Sequence, residues 1–398
     1  MDSRGGHKVK HVCMIAYTGY SLDGRVRREA EAVNALPGYA VTVLTAKEQE
    51  APRLYEQDGI RIFELDMPKY QGKSGARYVL CYLRFTLLAF IECTKLMARK
   101  SLDIVHVHNM PNFLVFAGLT PYLSGKPIIL DEHDTMVETF SAKFNGRRIR
   151  FLEWALRLEE AVCCRMARRI VCVNDVQKAA MVARGIPEEK IVVAMNVPDP
   201  RLFNRTQRIP GGSRENGKFR MIYHGTVAKR LGVHLAVRAV TKLSDEIPGL
   251  EFYVVGGGDD MKEIQDLGRI LGMGDKVLFP GSVSLDRLAP FLGGMDLGII
   301  PNGRNCATEL MLPVKMLECV ALGIPVVAPR LKTISHYFTE DMVFFFEPDD
   351  VDSMAQAILA ASSNEEERRR KAHKAREFME KYGWETHKTE FIEMYKSL

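Results

Sequence analysis

Residues 312–327 contain the types and spacing of side chains that most favour chemistry. Pro313 and Val314 suit the start of a helix, Lys315 falls in its first turn, and Glu318 follows one turn later on the same side. A lysine near a helix N-terminus opposes the helix dipole, so its presence predicts an anionic partner. Glu318 could accept two hydrogen bonds from a ribose diol. The alternative is an amphipathic helix in which Lys315 and Glu318 pair with each other.

A second candidate segment, residues 223–232, follows an apolar run and precedes a helical pattern. Gly225 would let the backbone approach a ligand, the helix N-terminus would present free N–H groups, and Lys229 and Arg230 would add positive charge. Together these features predict a diphosphate site. A plain strand–helix turn with a solvated lysine–arginine pair is the alternative.

Two further segments end apolar runs. Gly257 lies in a glycine turn where a side chain would obstruct a ligand, although glycines also cap strands for steric reasons. Asp131, His133 and Asp134 follow the run at 127–130, and His133 could equally act as a helix cap. The histidines at 106 and 108 point to one side of a strand, but no third ligand has suitable spacing, so we predict no metal site.

Strand-length apolar runs alternate with helical patterns on both sides of residues 204–218, a segment rich in Gly, Pro and charge that reads as a linker. Near-continuous apolar strands separated by helices predict parallel sheets covered on both faces. The fold class is therefore α/β, with two doubly wound Rossmann-like domains facing a central cleft. Ligands of such sheets bind at the carboxyl ends of the strands.

The composition of the chain argues against several classes of protein. The 398 residues carry a formal net charge of +5, which is too mild for a dedicated nucleic-acid binder. Eight cysteines without a C-x-x-C pair predict buried thiols in a reducing compartment. No secretory signal is recognised, and charges interrupt the most apolar helical stretch, residues 78–97, so it should not span a bilayer. We expect a cytoplasmic protein.

The excess of positive charge is concentrated in residues 143–169, which contain eight basic residues and three acidic ones. Apolar side chains recur there at helical spacing: Phe151, Trp154, Ala155, Leu158 and Val162. A basic amphipathic helix of this kind often rests on anionic lipid. The alternative is a helix that packs on the sheet with a solvated basic rim.

Four segments together resemble the retaining glycosyltransferases of the GT-B fold, the large group 1 family related to glycosyltransferase family 4. They are SLDGRVRREAEAV, NVPDPRLF, LPVKMLECVALGIPVV and YGWE, and they span essentially the whole chain. The resemblance implies an N-terminal acceptor domain (1–203), the linker (204–218), a C-terminal donor domain (219–380) and a final helix (381–398) that crosses back to the first domain.

The resemblance also assigns roles to residues. Glu318 matches the second glutamate of the family's Glu-x7-Glu motif, which holds the donor ribose, and Lys315 matches a lysine offered to the diphosphate. The first glutamate would fall at Leu310, so Glu309, one position earlier, is a candidate replacement. Other positions implied at the donor site are Gly19, Gly225, Thr226, Lys229, Arg230, Gly257, Val283, Pro313 and Val314.

The implied reaction is transfer of a sugar from a UDP- or GDP-linked donor to a hydroxyl of a glycan or lipid-linked acceptor, with retained anomeric configuration and no required metal or cofactor. His133, Lys315 and Arg230 are the implied catalytic residues, and Asp131, His133 and Asp134 lie on the acceptor side. Cell-envelope or exopolysaccharide assembly is the expected setting. A sugar-nucleotide epimerase of the same fold and a non-catalytic nucleotide-sugar binder are the alternatives.

Overall fold

A computed structural model describes residues 9–48, 53–70, 75–143, 150–204, 206 and 217–398. The chain forms two compact units: Met1–Asn196 together with His387–Leu398, and Val197–Thr386. Most of the predicted linker, residues 204–218, lies outside the described residues.

Unit 1 is built on an eight-stranded sheet in the order β3-β4-β2-β1-β5-β6-β7-β8. All neighbouring strands are parallel except β3 and β4. The strands are β1 Lys10–Ala16, β2 Tyr39–Lys47, β3 Leu54–Gln57, β4 Ile60–Pro68, β5 Ile104–His108, β6 Ile128–Glu132, β7 Arg169–Cys172 and β8 Ile191–Val193. The central strands β5 and β6 are buried throughout, and this includes the two histidines of β5 and the two acidic residues at the end of β6.

Helices connect these parallel strands. They are α1 Gly24–Asn34, α2 Gly75–Ala98, α3 Leu119–Leu123, α4 Met136–Lys143, α5 Arg150–Met166 and α6 Asp175–Ala183, with 3₁₀ helices at Asn112–Gly118 and Glu188–Lys190. Helix α1 begins where the Asp23 carboxylate accepts hydrogen bonds from the backbone N–H groups of Arg25 and Val26. This cap fixes the residue at which α1 begins.

Strand β3 is an element that the sequence analysis did not predict. It forms an antiparallel hairpin with β4, and its two-residue turn, Asp58 and Gly59, has positive φ at both positions. An Asp-Gly pair between short strands is the signal for such a turn. Because β3 lies at the sheet edge and is only half-buried, its apolar pattern is too weak to indicate a strand.

Unit 2 has a six-stranded parallel sheet in the order β11-β10-β9-β12-β13-β14. Its strands are β9 Phe219–His224, β10 Leu250–Val255, β11 Val277–Gly281, β12 Leu297–Ile299, β13 Val326–Pro329 and β14 Phe344–Phe346. Its helices are α7 Val233–Lys242, α8 Met261–Ile270, α9 Leu285–Gly293, α10 Cys306–Leu310, α11 Val314–Leu322, α12 Lys332–Tyr337, α13 Val351–Ser363 and α14 Glu365–Tyr382, preceded by a 3₁₀ turn at Lys229–Leu231. The prediction of two Rossmann-like α/β domains is confirmed.

The last helix, α15 Trp384–Lys396, carries the chain back to unit 1, whose final segment is His387–Leu398. Phe391, Met394 and Tyr395 are buried there, and the Tyr39 hydroxyl donates a hydrogen bond to the Tyr395 carbonyl at 3.2 Å. The predicted return of the C-terminal helix to the first domain is thus confirmed.

None of the eight cysteines, all within the described residues, is in a disulfide. Six are buried as predicted, but Cys81 is only half-buried and Cys306 is exposed, because each lies on the outward side of its helix. Within the described ranges, no helix has both the length and the apolar character that a bilayer crossing requires.

Candidate functional site

The start of helix α11 in unit 2 brings two predicted donor residues against the end of strand β9. Pro313 is the N-cap of α11 and Val314 its first residue. The Lys315 ammonium donates a hydrogen bond to the Tyr223 hydroxyl at 2.7 Å, while a Glu318 oxygen lies 2.6 Å from His224 Nε2. Lys315 and Glu318 therefore each contact β9, and the alternative of a simple lysine–glutamate pair on one helix is not what the structure has.

The electrostatic setting of Lys315 is unusual for a lysine. Burial lowers its pKa from 10.5 to about 7, an effect that Glu318 opposes and the positive charge of Arg230 reinforces. The ammonium also lies 4.1 Å from the centre of the Tyr223 ring. A diphosphate would supply the negative charge that favours the protonated form.

The loop after β9 lies directly against the glycine turn after β10. Backbone N–H groups of Gly225 and Val227 donate to the carbonyls of Val255 and Gly257 at 2.9 and 2.8 Å. Gly225 and Gly256 have φ of +104° and +127°, and a Cβ on Gly256 would collide with the Gly225 carbonyl. Only glycine fits this close approach.

Several predicted donor residues surround these two loops. Gly225 lies beside Lys315, since a Cβ built on it would be 3.5 Å from the lysine Nζ. Thr226 and Lys229 are exposed, and the backbone N–H of Lys229 donates to Asp260 Oδ2 at 2.5 Å. A Cβ on Gly257 would lie 3.7 Å from Ser282 Oγ, next in sequence to the half-buried Val283.

Glu309 has a different set of contacts from Lys315 and Glu318. Its Oε2 accepts a hydrogen bond from the backbone N–H of Lys332 at 2.6 Å, and its Oε1 lies 3.6 Å from Arg304 Nε. Its carbonyl accepts from the Thr333 hydroxyl at 2.7 Å. The carboxylate thus holds the start of α12.

In unit 1, His133 and Asp131 form a pair at the end of β6. His133 Nε2 lies 3.2 Å from Asp131 Oδ2, and the backbone N–H of His133 donates to Asn109 Oδ1 at 2.8 Å. Burial and the Arg25 charge oppose protonation of His133, but the Asp131 carboxylate outweighs both and raises the pKa of the imidazole. Asp134 is exposed.

A buried ionic cluster behind this pair was not foreseen as a unit. Arg25 on α1 donates to both Asp131 oxygens, at 2.5 and 3.2 Å, and to Glu29 Oε1 at 2.9 Å. Burial favours the neutral form of Asp131, yet Arg25 and the neighbouring histidines hold the pKa of that carboxyl well below its usual range. The i, i+4 spacing of Arg25 and Glu29 on a helix was the available signal.

Strand β5 adds two histidines to the same cluster. The rings of His106 and His108 stack with their centres 4.3 Å apart, as alternation along a strand predicts. His108 Nδ1 lies 3.0 Å from Asp131 Oδ2, and His106 Nδ1 lies 2.6 Å from the Tyr395 hydroxyl on α15. Only the fold brings these positions, far apart in sequence, into one cluster.

Gly19 lies in the loop after β1 and is buried against Glu48. A Cβ at Gly19 would lie 2.5 Å from the Glu48 Cγ, so a larger residue there would require the Glu48 side chain to move. Glu48 Oε1 accepts from the backbone N–H of Ser21 at 2.7 Å. Glu48 is therefore the residue that shapes this loop, which the sequence analysis did not identify.

The apolar side of α5 is exposed. Phe151, Trp154, Leu158 and Val162 are 75%, 58%, 50% and 40% exposed, whereas the opposite side, with Cys163, is buried. The alternative in which this apolar side packs on the sheet is therefore not what the structure has. Part of the predicted basic stretch, residues 144–149, lies outside the described residues.

The chain matches two protein-family profiles. Residues 218–364 match the family described as "Glycosyl transferases group 1", and residues 24–196 match the "Glycosyl transferase 4-like domain". An uncharacterized glycosyltransferase of Methanocaldococcus jannaschii is 21% identical over 83% of this chain and 87% of its own length. A phosphatidyl-myo-inositol mannosyltransferase of Mycolicibacterium smegmatis is 23% identical over 83% and 82%.

Solved structures share the fold. Sucrose-phosphate synthase of Thermosynechococcus elongatus superposes with a TM-score of 0.78 at 17% identity, covering 98% of both chains. HepE of Anabaena, solved with UDP-glucose, has a TM-score of 0.70 at 13% identity, covering 98% of this chain and 100% of its own.

Proposed function

We propose that this chain, which belongs to the group 1 glycosyltransferases of the GT-B fold, transfers a sugar from a nucleoside-diphosphate sugar to a hydroxyl of a glycan or lipid-linked acceptor. The observation that carries the proposal is the placement of Lys315 and Glu318 at the start of α11, both against the end of β9. A cation and a carboxylate at the carboxyl end of a parallel strand suit a diphosphate and a ribose.

The donor is proposed to be UDP- or GDP-linked. Lys315, Lys229 and Arg230 would bind the diphosphate, Glu318 the ribose, and the backbone near Val283 the base. The glycines at 19, 225 and 257, with Thr226, Pro313 and Val314, would give the ligand access to backbone. A protein of the same fold, HepE, was solved with UDP-glucose, which supports this donor class. Glu309 is a weaker candidate for the sugar contact, because its carboxylate holds α12.

The proposed reaction retains the anomeric configuration and needs no metal at the diphosphate. As the glycosidic bond breaks, negative charge develops on the leaving diphosphate, and Lys315, Arg230 and the helix N-terminus would stabilise it. A phosphate oxygen would assist deprotonation of the acceptor hydroxyl on the same face. His133, Asp131 and Asp134 would serve the acceptor side, as the family resemblance implies.

A donor screen tests this function. We expect UDP- or GDP-sugars, but not the free sugars, to raise the unfolding temperature of the protein, and the bound donor to be slowly hydrolysed. Conversion of the donor sugar to its epimer without acceptor would instead indicate an epimerase. Binding without any turnover, with a panel of glycan and lipid-linked acceptors, would favour a nucleotide-sugar binder. If no nucleotide sugar binds, the proposal is wrong.

We also propose that unit 1 rests on an anionic membrane at the cytoplasmic face. The exposed apolar side of α5 is matched on α2, where Val79, Leu80, Leu83 and Leu87 are each more than half exposed. Both helices pack against the 3₁₀ helix Asn112–Gly118 of unit 1. Several exposed apolar side chains grouped on one side of a helix, unlike an isolated exposed leucine, mark a surface for a membrane or a partner. The mannosyltransferase relative named for phosphatidyl-myo-inositol is consistent with a lipid surface.

Sedimentation with vesicles tests the membrane proposal. The protein should sediment with phosphatidylglycerol-containing vesicles at low salt and less with neutral vesicles or at high salt. Trp154→Ser should reduce binding about tenfold or more, since burial of one large aromatic side chain contributes roughly 2 kcal/mol. Ile270→Ser, an exposed apolar residue on α8 of unit 2, is the matched control and should leave binding unchanged. Equal losses in both variants, or no binding at low salt, would rule out the surface.

A further inference from the structure

Four side chains that can bind a metal lie together in the core of unit 1. Glu29 comes from α1, His106 and His108 from β5, and Asp131 from β6, and all four are buried. One ligand atom from each lies within 4.8 Å of every other. We propose that these four residues bind a divalent transition-metal ion, most suitably Zn²⁺, that ties α1 to the centre of the sheet. This inference does not depend on the proposed transfer reaction.

Three of the distances in the cluster are too long for direct hydrogen bonds, whereas His108 Nδ1 lies 3.0 Å from Asp131 Oδ2. His106 Nε2 lies 3.9 Å from Glu29 Oε2 and 3.8 Å from Asp131 Oδ2, and His108 Nδ1 lies 4.0 Å from Glu29 Oε2. These separations exceed a hydrogen bond. Two ligand atoms that each lie about 2.0–2.2 Å from one zinc ion in tetrahedral geometry are roughly 3.3–3.6 Å apart. Metal binding would therefore draw these pairs together by several tenths of an ångström, and a pair at the 4.8 Å limit by about 1.2–1.5 Å.

Among the described residues, two of the four candidate ligands offer the cluster an atom without a hydrogen bond, whereas His108 Nδ1 and Asp131 Oδ2 contact each other and His133. Glu29 Oε2 and His106 Nε2 are buried and have no hydrogen-bond partner within the described part of the chain. Their opposite ends are fixed, because Arg25 Nε donates to Glu29 Oε1 at 2.9 Å and His106 Nδ1 lies 2.6 Å from the Tyr395 hydroxyl. Metal-binding histidines and carboxylates are usually oriented by such contacts at their outer atoms.

The charge balance allows a divalent ion. Glu29 and Asp131 can supply two negative charges, and Arg25 compensates one of them from outside the cluster. The partly exposed His133 also contacts Asp131, so it competes for that oxygen. Two imidazoles and two carboxylates are ligands that zinc and other first-row divalent ions accept, but calcium and magnesium prefer all-oxygen sites. The sequence analysis found no further ligand for His106 and His108. Glu29 and Asp131 lie far from them in sequence, and only the fold brings them close.

The experiment uses the full-length, untagged protein. We expect purified protein to contain about one equivalent of zinc by elemental analysis. After treatment with a chelator, one equivalent of Co²⁺ should give the visible absorption bands of four-coordinate cobalt and raise the unfolding temperature. His106→Gln and Glu29→Gln should each lose the bands and at least tenfold in cobalt affinity, while circular dichroism reports whether each variant is folded.

His387→Gln is the matched control, since His387 is another buried histidine of unit 1 that lies outside the cluster. It should keep the metal content and the cobalt spectrum of the unchanged protein. The proposal is overturned if the unchanged protein neither contains nor binds the metal ion. It is equally overturned if folded Glu29→Gln or His106→Gln protein binds Co²⁺ with unchanged affinity and spectrum, which would assign the metal to other residues.

Discussion

At the scale of residues, two glutamates nine positions apart have separate tasks in unit 2. Glu318 contacts His224, a residue at the end of β9, whereas Glu309 accepts a hydrogen bond from the first backbone N–H of α12. The spacing in sequence suggested that Glu309 could replace the motif glutamate missing at Leu310. The contacts favour a structural task for Glu309, and Glu318 remains the residue proposed to bind the donor.

The first prediction compares these two glutamates. Glu318→Ala should weaken binding of the nucleotide-sugar donor by roughly 10- to 100-fold, since a hydrogen bond to a charged group contributes about 1.5–3 kcal/mol. Glu309→Ala should leave that affinity within about twofold and lower the free energy of unfolding by ~1 kcal/mol, through the weakened start of α12. Calorimetric titration and thermal unfolding measure the two quantities. Loss of donor affinity in the Glu309 variant alone would reverse the assignment.

The second prediction concerns the protonation of Lys315. Because the pKa of Lys315 is about 7 without ligand, the amine is mostly neutral at pH 8, and a bound diphosphate should raise its pKa. Donor binding at pH 8 should therefore take up close to one proton, and affinity should fall as pH rises above 7, by up to about tenfold per pH unit.

Titration calorimetry at pH 8 in two buffers of different protonation enthalpy measures this uptake. Lys315→Ala should bind the donor more weakly and take up no proton, which separates this amine from other titrating groups. Equal heats in the two buffers for the unchanged protein would contradict the prediction.

At the scale of elements, the loops after β9 and β10 fit together through glycines whose backbone atoms nearly touch. Gly256 has φ of +127°, and a Cβ there would collide with the Gly225 carbonyl, so both conformation and space exclude a side chain. Gly257 differs, because a Cβ there would make only an ordinary contact with Ser282. Packing in this turn therefore excludes a side chain at Gly256 but not at Gly257.

The third prediction uses this contrast. Gly256→Ala should lower the free energy of unfolding by about 2 kcal/mol or more, from the left-handed backbone and the collision. Gly257→Ala should change stability by less than ~1 kcal/mol but weaken donor binding, if the ligand approaches the turn as proposed. Gly274→Ala, with open space around the Cβ, is the control for both measurements. Chemical denaturation gives the stabilities, and a stable Gly256→Ala variant would contradict the packing argument.

At the scale of the whole molecule, unit 1 is completed by the last residues of the chain, which unit 2 separates from the rest in sequence. Phe391 and Tyr395 are fully buried, and the Tyr395 hydroxyl lies 2.6 Å from the His106 ring on the central strand β5. The folded state of unit 1 therefore depends on a segment that all of unit 2 separates from the rest of unit 1 in sequence.

The fourth prediction concerns the contribution of α15 to the stability of unit 1. Phe391→Ala should lower the free energy of unfolding of unit 1 by about 3–5 kcal/mol, the usual loss for a buried phenylalanine, and Tyr395→Phe by about 1 kcal/mol. Glu390→Ala, an exposed residue of the same helix, should stay within ~0.5 kcal/mol of the unchanged protein. Hydrogen exchange of β5 amides reports unit 1 specifically. If exchange is unaffected in Phe391→Ala, α15 does not stabilise the sheet.

The sequence alone determined the features that depend on local patterns. Strand-length apolar runs on both sides of the linker predicted two parallel sheets, because burial on both faces of a parallel sheet demands such runs. Pro313 marked the start of α11, and the spacing of Lys315 and Glu318 predicted that both face one side. Strand β3 was missed because an edge strand needs little apolar surface.

Only the tertiary structure decided which distant residues meet. Strand order placed Glu29, His106, His108 and Asp131 in one buried cluster, although no more than two of them are close in sequence. The same holds for the contacts of Lys315 with Tyr223 and of Glu309 with α12, and for the exposed apolar side of α5. The periodicity of a helix or strand fixes which of its residues share a face. The packing of the elements decides whether that face contacts another element or solvent.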